Sequence, residues 1–161
     1  MVTRFEDLFP GLRGSPYQVT APPDPSYNCL AWAAGVTDAW WWPSGDPQQV
    51  YWPSGVPREE TLGAVAAAFA TLGYATCKHE GVEIGYEKIA FFANAAGVPT
   101  HAARQSSKGR WSSKLGQLER IEHALRDLEG AAYGVVALLM KRPLPIGSET
   151  AERGRTIARL A

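Results

Sequence analysis

Hydrophobic residues recur at helical spacing in two stretches of the chain, and each stretch ends at a glycine. The first stripe ends at Gly73 and consists of Leu62, Val65, Ala66, Phe69 and Leu72. Pro57, Glu59 and Glu60 precede it, and such residues favour the first turn of a helix. The second stripe ends at Gly130 and consists of Leu118, Ile121, Leu125 and Leu128. This spacing predicts one helix in each stretch.

Short runs of apolar, β-branched and aromatic residues predict strands around these helices. The predicted strands are 74–78, 88–93, 98–105, 110–115 and 133–140. The third and fourth flank the sequence Ser-Ser-Lys-Gly, whose glycine can take the positive φ that a hairpin turn requires. The last is an unbroken apolar run, typical of a central strand covered on both faces. The order of elements predicts an α+β fold, with helices packed on a mostly antiparallel sheet.

The rest of the sequence divides the chain into an arm, one domain and a tail. Residues 1–28 are loop-rich and contain Pro-Pro-Asp-Pro, which indicates a Pro-rich N-terminal arm laid over the domain. Residues 29–142 are expected to form a single α+β domain. Within it, segment 40–57 is a Trp-rich loop in which Trp-Pro-Ser-Gly occurs twice, and this repetition indicates two similar turns. Residues 143–161 are expected to form a C-terminal tail.

Charge and composition narrow the classes of function. The chain has 161 residues, and its 16 basic and 16 acidic side chains give a formal net charge of zero. Nucleic-acid binding needs a basic excess or a basic stripe, and the sequence shows neither. Two cysteines cannot form the disulfide scaffold of a small secreted domain, and we find no signal-peptide pattern or membrane-length apolar run. We therefore expect a cytoplasmic protein that binds neither nucleic acid nor membrane, of undetermined oligomeric state.

A cysteine at the predicted start of a short helix is the first candidate for chemistry. Asn28 is a favourable N-cap and Gly35 a favourable stop, so residues 29–34 are predicted to be helical, beginning with Cys29. The unpaired N–H groups at a helix start favour thiolate over thiol, which makes Cys29 a candidate nucleophile. A free cysteine is also a small hydrophobic residue that is often buried, and this alternative stays open.

His101 is the candidate general base because it lies on the first strand of the predicted hairpin, where a strand holds an imidazole rigidly. A single histidine on a strand can also be purely structural. His79 lies in a polar stretch, and His123 is expected on the exposed side of the second helix. Both fit a catalytic role less well than His101.

The hairpin also indicates which residue orients the second ring nitrogen of His101. If Gln105 and Arg110 flank the turn, His101 faces Lys114, and an offset of one residue places Ser113 opposite. Lysine cannot accept a hydrogen bond, so Ser113 is the preferred candidate. Other registers bring in Asn94, Gln105 or Glu122 instead.

The sequence Tyr-Asn-Cys-Leu-Ala-Trp-Ala-Ala-Gly at 27–35, with His101 following on a hairpin strand, resembles the papain-like cysteine hydrolases. It is most similar to the compact bacterial NlpC-type peptidases and amidases. The resemblance implies a papain-like/NlpC-like fold, with Cys29 as nucleophile, His101 as general base and Ser113 as orienting residue. The chain departs from that branch in its third residue, which there is His, Asn or Asp, and in the absence of an export signal.

The resemblance also implies a tyrosine upstream of the nucleophile that shapes the oxyanion site. Tyr17 and Tyr27 are the candidates, and Tyr27 is preferred because it adjoins Cys29. A second resemblance covers residues 27–140 and implies no activity. Its motifs, Arg104-Gln105, Gly-Arg-Trp-Ser-Ser-Lys-Leu-Gly at 109–116 and Ile-Glu-His at 121–123, are similar to a widespread uncharacterised family of small bacterial proteins.

These features predict a peptidase- or amidase-like hydrolase, or an acyltransferase, that acts on a peptide, amide, ester or thioester through Cys29 and His101. We expect no cofactor, and no metal because no ligands stand at zinc-site spacing. The candidate substrate-binding residues are Tyr27, Asn28, Trp42, Tyr51, Trp52 and Trp111, since aromatic rings can wall a cleft. One alternative is a catalytically silent module that grips a ligand or partner protein with its Trp-rich loop. Another is a toxin or effector domain delivered by a larger system.

Overall fold

One antiparallel sheet of seven strands forms the centre of the molecule in a computed structural model that describes residues 4–145. In chain order the strands are β1 (Gln18–Ala21), β2 (Ala75–Cys77), β3 (Tyr86–Ala93), β4 (Pro99–Gln105), β5 (Trp111–Lys114), β6 (Arg120–His123) and β7 (Val135–Pro143). Their order across the sheet is β1-β6-β5-β4-β3-β7-β2, and each neighbouring pair is antiparallel. The predicted α+β class is confirmed. Most of the predicted C-terminal tail, 146–161, lies outside the described residues.

The helices are short. They are α1 (Arg4–Leu8), α2 (Cys29–Ala33) and α3 (Leu62–Ala70), with 3-10 turns at Pro10–Leu12 and Leu125–Leu128. Helix α2 begins at Cys29 as predicted. Helix α3 begins later than its acidic flank indicates, because Thr61 is the N-cap and accepts a hydrogen bond from the Ala64 N–H at 3.0 Å. The residues before it remain in the loop, where the Trp52 indole donates to the Pro57 carbonyl at 2.9 Å.

The sheet separates two hydrophobic cores. Along β3, Ile89 and Phe91 pack into a core with α2 and α3, whereas Ala90 and Phe92 pack into a second core on the other face. β3 is therefore covered on both faces. The apolar run 133–140, predicted to be a central strand covered on both faces, contributes to β7, and β7 lies between β3 and β2. Leu138 and Met140 pack with the first core and Val136 and Leu139 with the second, whereas Val135 at the start of β7 is 57% exposed.

The prediction of a second helix, from the stripe that ends at Gly130, is wrong. Its residues form the strand β6, a short connection and the 3-10 turn Leu125–Leu128. Ile121 and His123 are buried and alternate with the half-buried Arg120 and Glu122, which is the two-residue period of a strand. β6 is paired with β5 on one side and with β1 on the other. Its backbone N–H and C=O groups therefore form hydrogen bonds with these two strands, in place of the hydrogen bonds within a helix.

The N-terminal residues supply both a strand and core side chains. β1 pairs with β6 through Gln18↔Glu122 and Val19↔Ile121 and forms one edge of the sheet. Leu12 is buried in the second core. Gly11 lies so close to the 3-10 turn that follows β6 that a Cβ there would stand 2.5 Å from the Asp127 carbonyl oxygen. Close packing of this kind requires a glycine.

Candidate active site

Asn28 fixes the start of α2 from inside the core. Its Oδ1 accepts hydrogen bonds from the Ala31 N–H at 3.2 Å and the Trp41 N–H at 3.0 Å, and its Nδ2 donates to the Trp41 carbonyl at 2.7 Å. The side chain thus caps the helix and holds the beginning of the Trp-rich loop against it. Because Asn28 bonds both to the helix and to the loop, Cys29 has one defined position relative to the loop.

The Cys29 sulfur lies at the start of α2, where α2 packs against β4 and β5. Burial raises the pKa of the thiol to about 11, outweighing the lowering effect of backbone hydrogen bonding from Ala102, Leu30 and Cys29 itself and of the charge on Lys114. The helix start therefore does not lower the pKa of this thiol, because burial of the side chain has the larger effect. Ala102 follows His101 in β4, so the sulfur lies beside the peptide that joins these two residues.

A pocket of about 280 Å³ opens at Cys29. Its lining residues carry no charge and are Asn28, Cys29, Trp40, Trp42, Thr100, Gly116 and Tyr133. Trp40 and Trp42 come from the Trp-rich loop, in which backbone hydrogen bonds join Tyr51 to both of these tryptophans. The pocket is therefore apolar and partly aromatic, with one thiol on its surface.

His101 and Ser113 are in contact, as the hairpin indicated. The Nε2 of His101 and the Oγ of Ser113 are 2.8 Å apart, and both residues are buried. The register differs from the expected one by a residue, because Gln105 pairs with Trp111 and Arg110 joins the turn. In this register His101 and Ser113 lie on the same face of the sheet and bond diagonally across the two strands.

The other ring nitrogen of His101, Nδ1, is buried and has no hydrogen-bond partner among residues 4–145. It is the one buried side-chain nitrogen or oxygen in this part of the chain that lacks a partner. Burial, and secondarily the nearby His123, hold the pKa of His101 well below 6.5, so the ring is neutral at pH 7. A buried polar atom without a partner costs about 1–3 kcal/mol, so an unsatisfied nitrogen in this position calls for a functional explanation.

His123 lies at the same site, against expectation. It is fully buried in β6, and its Nε2 is 2.7 Å from Ser113 Oγ while its Nδ1 is 2.8 Å from the Ala124 carbonyl oxygen. Burial lowers its pKa from 6.5 to about 4. The available signal in the sequence was the alternation over residues 120–123, which the longer helical stripe concealed.

Tyr133 is a second residue that sequence reasoning missed. Its ring stacks on the His101 imidazole, with centroids 4.1 Å apart and planes inclined by 4°, and it lines the pocket beside Cys29. Thr100 Oγ1 donates to the Tyr133 carbonyl at 2.5 Å. Tyr133 therefore connects the pocket to His101, and no motif in its Ala-Ala-Tyr-Gly context indicates this position.

Neither tyrosine proposed for an oxyanion site lines the pocket. Tyr27 is buried, with its hydroxyl accepting from Arg120 at 3.2 Å and its ring 4.6 Å from the ammonium of Lys114. Tyr17 packs with the second core, and its hydroxyl donates to Glu6 at 2.8 Å. Tyr133 is the tyrosine that the fold brings to the pocket instead.

The predicted substrate-binding residues divide into two groups. Asn28 and Trp42 line the pocket. Tyr51 is half-exposed, and its ring packs against Trp41 at an inclination of 45°, while Trp52 and Trp111 are buried in the two cores on opposite faces of the sheet. The repeated Trp-Pro-Ser-Gly pattern thus places one tryptophan in the pocket and the other in the core.

The alternatives to Ser113 have other partners. Asn94 closes the β3–β4 turn by accepting from the Val98 N–H at 3.0 Å, and Gln105 donates to the Glu80 carbonyl at 2.6 Å. Glu122 lies 3.7 Å from Arg110. Within residues 4–145, no group of three His, Cys, Asp or Glu side chains is arranged to hold a metal ion, and no helix is long and apolar enough to cross a membrane.

Comparison with known proteins places the chain in a family. No curated protein and no solved structure matches it. One family model does match, and it covers residues 18–141, from β1 through most of β7. The matched region therefore includes α2, the hairpin and both buried histidines, and the chain belongs to the family described as Domain of unknown function (DUF7689).

Proposed function

We propose that the protein is a cysteine-dependent hydrolase or acyltransferase that resembles the NlpC-type branch of papain-like enzymes. The observation that carries the proposal is the buried, unpartnered Nδ1 of His101, whose other nitrogen is held by Ser113. Such an imidazole is oriented at one nitrogen and free to take a proton at the other, as a general base requires. Cys29 lies beside the same segment of β4 and on the surface of the pocket.

The reaction follows from these groups. When a carbonyl compound occupies the pocket, the Cys29 proton passes to His101 Nδ1 and the sulfur attacks the carbonyl carbon. The protonated His101 then gives the proton to the departing amine, alcohol or thiol, which leaves a thioester on Cys29. Water or an amine gives a proton to His101 as it attacks this thioester, and the acyl group departs as the regenerated thiol takes that proton back.

The raised pKa of Cys29 makes this a base-assisted reaction. At pH 7 both Cys29 and His101 are neutral in the resting protein, because burial disfavours the charged form of each. The proton therefore moves only as the sulfur attacks. We accordingly expect slow alkylation of the resting thiol by iodoacetamide, in contrast with the fast reaction of a preformed thiolate.

The pocket indicates the class of acyl group. Its lining carries no charged side chain, and Trp40, Trp42 and Tyr133 offer flat apolar surfaces. A volume of about 280 Å³ is at the small end of ligand pockets. The proposed substrate is therefore a small uncharged acyl group in amide, ester or thioester linkage, since a carboxylate placed among these rings would lose its hydration without gaining a partner.

Acylation of Cys29 tests the proposal directly. The protein is incubated with p-nitrophenyl butyrate, and the acyl-enzyme is detected by intact-mass spectrometry and peptide mapping. We expect one butyryl group on Cys29, no adduct in Cys29→Ala, and a fall of at least about 100-fold in the acylation rate of His101→Gln. Mono-p-nitrophenyl succinate, of similar length but with a charged acyl group, should react far more slowly.

Cys77→Ser is the matched control, because Cys77 is half-buried in β2 and outside the pocket. It should keep the full rate of acylation. An adduct that survives in Cys29→Ala, or equal rates for wild type and His101→Gln, would contradict the proposed roles.

A catalytically silent binding module is the second candidate, and the raised pKa of Cys29 favours it. A pocket walled by Trp40 and Trp42 can hold a flat or aliphatic ligand whether or not the sulfur reacts. In that case Cys29→Ala retains ligand binding and Trp42→Ala loses it. In an enzyme, Cys29→Ala abolishes turnover.

A further inference from the structure

Ser113 bridges two buried imidazoles. Its hydroxyl lies 2.8 Å from Nε2 of His101 on β4 and 2.7 Å from Nε2 of His123 on β6. All three side chains are buried, so the chain of contacts is shielded from water. The three residues come from three adjacent strands and form a row across the sheet.

The far end of the row determines the direction of its hydrogen bonds. His123 Nδ1 lies 2.8 Å from the Ala124 carbonyl oxygen, and a carbonyl oxygen only accepts, so Nδ1 carries the proton. A neutral His123 then has a bare Nε2, which accepts the hydrogen of the Ser113 hydroxyl. Ser113 has a single hydrogen, so towards His101 its oxygen accepts. His101 therefore carries its proton on Nε2, and its Nδ1 is left as a lone pair.

These proton positions hold when both rings are neutral, and the surroundings of the two rings favour the neutral form. Burial is the largest influence on each, and it lowers both pKa values. The charged groups near His123 act in opposite directions, since Asp127 raises its pKa and Arg110 lowers it. The nearby His123 lowers the pKa of His101 further.

We propose that His123 is a positioning residue that acts through Ser113 to fix the tautomer of His101, so that its proton-free Nδ1 is available to the Cys29 thiol. The inference rests on the proposed function for its catalytic meaning. Without the acceptor at His123, the Ser113 hydrogen is free to turn towards His101. The His101 proton then moves to Nδ1, where it blocks the transfer from Cys29. A two-step relay takes the place of the carboxylate or amide that usually orients a catalytic histidine.

The tautomer is measured by long-range ¹H–¹⁵N correlation spectra of the full chain labelled with ¹⁵N-histidine at pH 7.5, because protonated and bare ring nitrogens resonate far apart. In wild type we expect His101 protonated on Nε2 and His123 on Nδ1. His79→Gln removes the exposed histidine and assigns the remaining signals. His123→Phe keeps a ring in place but has no acceptor, so His101 should show protonation on Nδ1 or a mixture.

Acylation by p-nitrophenyl butyrate gives the second measurement. His123→Phe should lower the rate about tenfold or more. Ser113→Ala should do the same, and Ser113→Ala/His123→Phe should be no slower than Ser113→Ala, because the effect passes through that hydroxyl. Additive losses would overturn the relay. A purely structural role for His123 would lower stability without changing the tautomer of His101.

The two proposals fail in different ways. If wild-type His101 carries its proton on Nδ1, the inference is overturned even if His123→Phe does not fold. If the acyl-enzyme forms and the tautomer of a folded His123→Phe is unchanged, the inference alone is overturned. If the tautomer follows His123 and no acyl-enzyme forms, the link through Ser113 is supported and the proposed function is overturned.

Discussion

Lys114 is a buried cation in β5 that forms hydrogen bonds with the segment 24–27, immediately before Asn28 and Cys29. Its ammonium donates to the carbonyl oxygens of Asp24 at 2.6 Å, Tyr27 at 3.1 Å and Gly116 at 2.5 Å. Burial lowers its pKa. Three carbonyl acceptors satisfy the three hydrogens of the ammonium, which is how a fully buried lysine is tolerated.

Lys114→Met is expected to lower the free energy of unfolding by at least about 2 kcal/mol, because it keeps the aliphatic stem and leaves three carbonyls without a donor. Lys108→Met, at an exposed lysine in the β4–β5 turn, should change it by less than about 0.5 kcal/mol. Urea unfolding of both variants at pH 7 measures the difference. Equal stability of the two variants would show that the hydrogen bonds of Lys114 do not stabilise the fold.

Single residues of the site were predictable to the extent that their signals are local. Cys29 follows a good N-cap, and Ser113 follows from the hairpin that also carries His101. The state of the thiol was not predictable, because whether a helix start faces water or the interior depends on packing with distant strands. Lys114 and His123 were missed for the same reason, since polar side chains usually mark exposed positions.

Individual elements were predictable where caps and periodicity agree. Helix α2 begins at Cys29 and reaches its stop at Gly35, whose φ is +82°, within the range that favours glycine. The second stripe failed because four leucine and isoleucine positions fit a helix, while the competing alternation covers only the four residues of β6. β6 pairs with β1, which lies about a hundred residues earlier in the sequence, so no local pattern indicates this pairing.

Asn28→Asp is expected to destabilise the protein by about 2 kcal/mol, although aspartate is as good an N-cap as asparagine. The Nδ2 that donates to the Trp41 carbonyl is replaced by a second acceptor oxygen, and a carboxylate is buried there. Thr61→Asp is the matched control. Thr61 is exposed, and its side chain caps α3 by accepting from the Ala64 N–H.

Thr61→Asp should leave the free energy of unfolding unchanged or raise it by a few tenths of a kcal/mol. Thermal and urea unfolding of both variants, followed by far-UV circular dichroism, make the comparison. A similar result for the two would mean that the amide nitrogen of Asn28 contributes nothing beyond capping.

At the scale of the whole molecule, the sheet brings the site together from widely separated parts of the chain. The start of α2, the Trp-rich loop, the β4–β5 hairpin, β6 and the loop before β7 each contribute between one and three of its residues. Each contribution is a short segment, and its position is determined by the order of strands across the sheet. The α+β class follows from the content of elements, whereas this order depends on pairings that the sequence does not display.

The buried histidine pair makes the stability of the whole molecule depend on pH. Burial lowers the pKa of His123 from 6.5 to about 4 and holds that of His101 well below 6.5. In the unfolded chain both imidazoles take up protons as the pH falls below about 6.5, while in the folded chain they do not. The unfolded state therefore binds more protons, and acidification favours it.

The free energy of unfolding should thus be unaffected by these groups above pH 6.5 and should fall between pH 6.5 and 4, by about 3 kcal/mol from His123 alone. His101 adds to the fall in the same direction. His123→Gln should make the slope shallower by one proton, about 1.4 kcal/mol per pH unit, while His79→Gln, which removes an exposed imidazole, should keep the wild-type slope. Urea unfolding at several pH values from 4.5 to 7.5 measures all three chains. A wild-type curve that stays level over this range, or one that rises on acidification, would show that the two rings are not held neutral in the folded state.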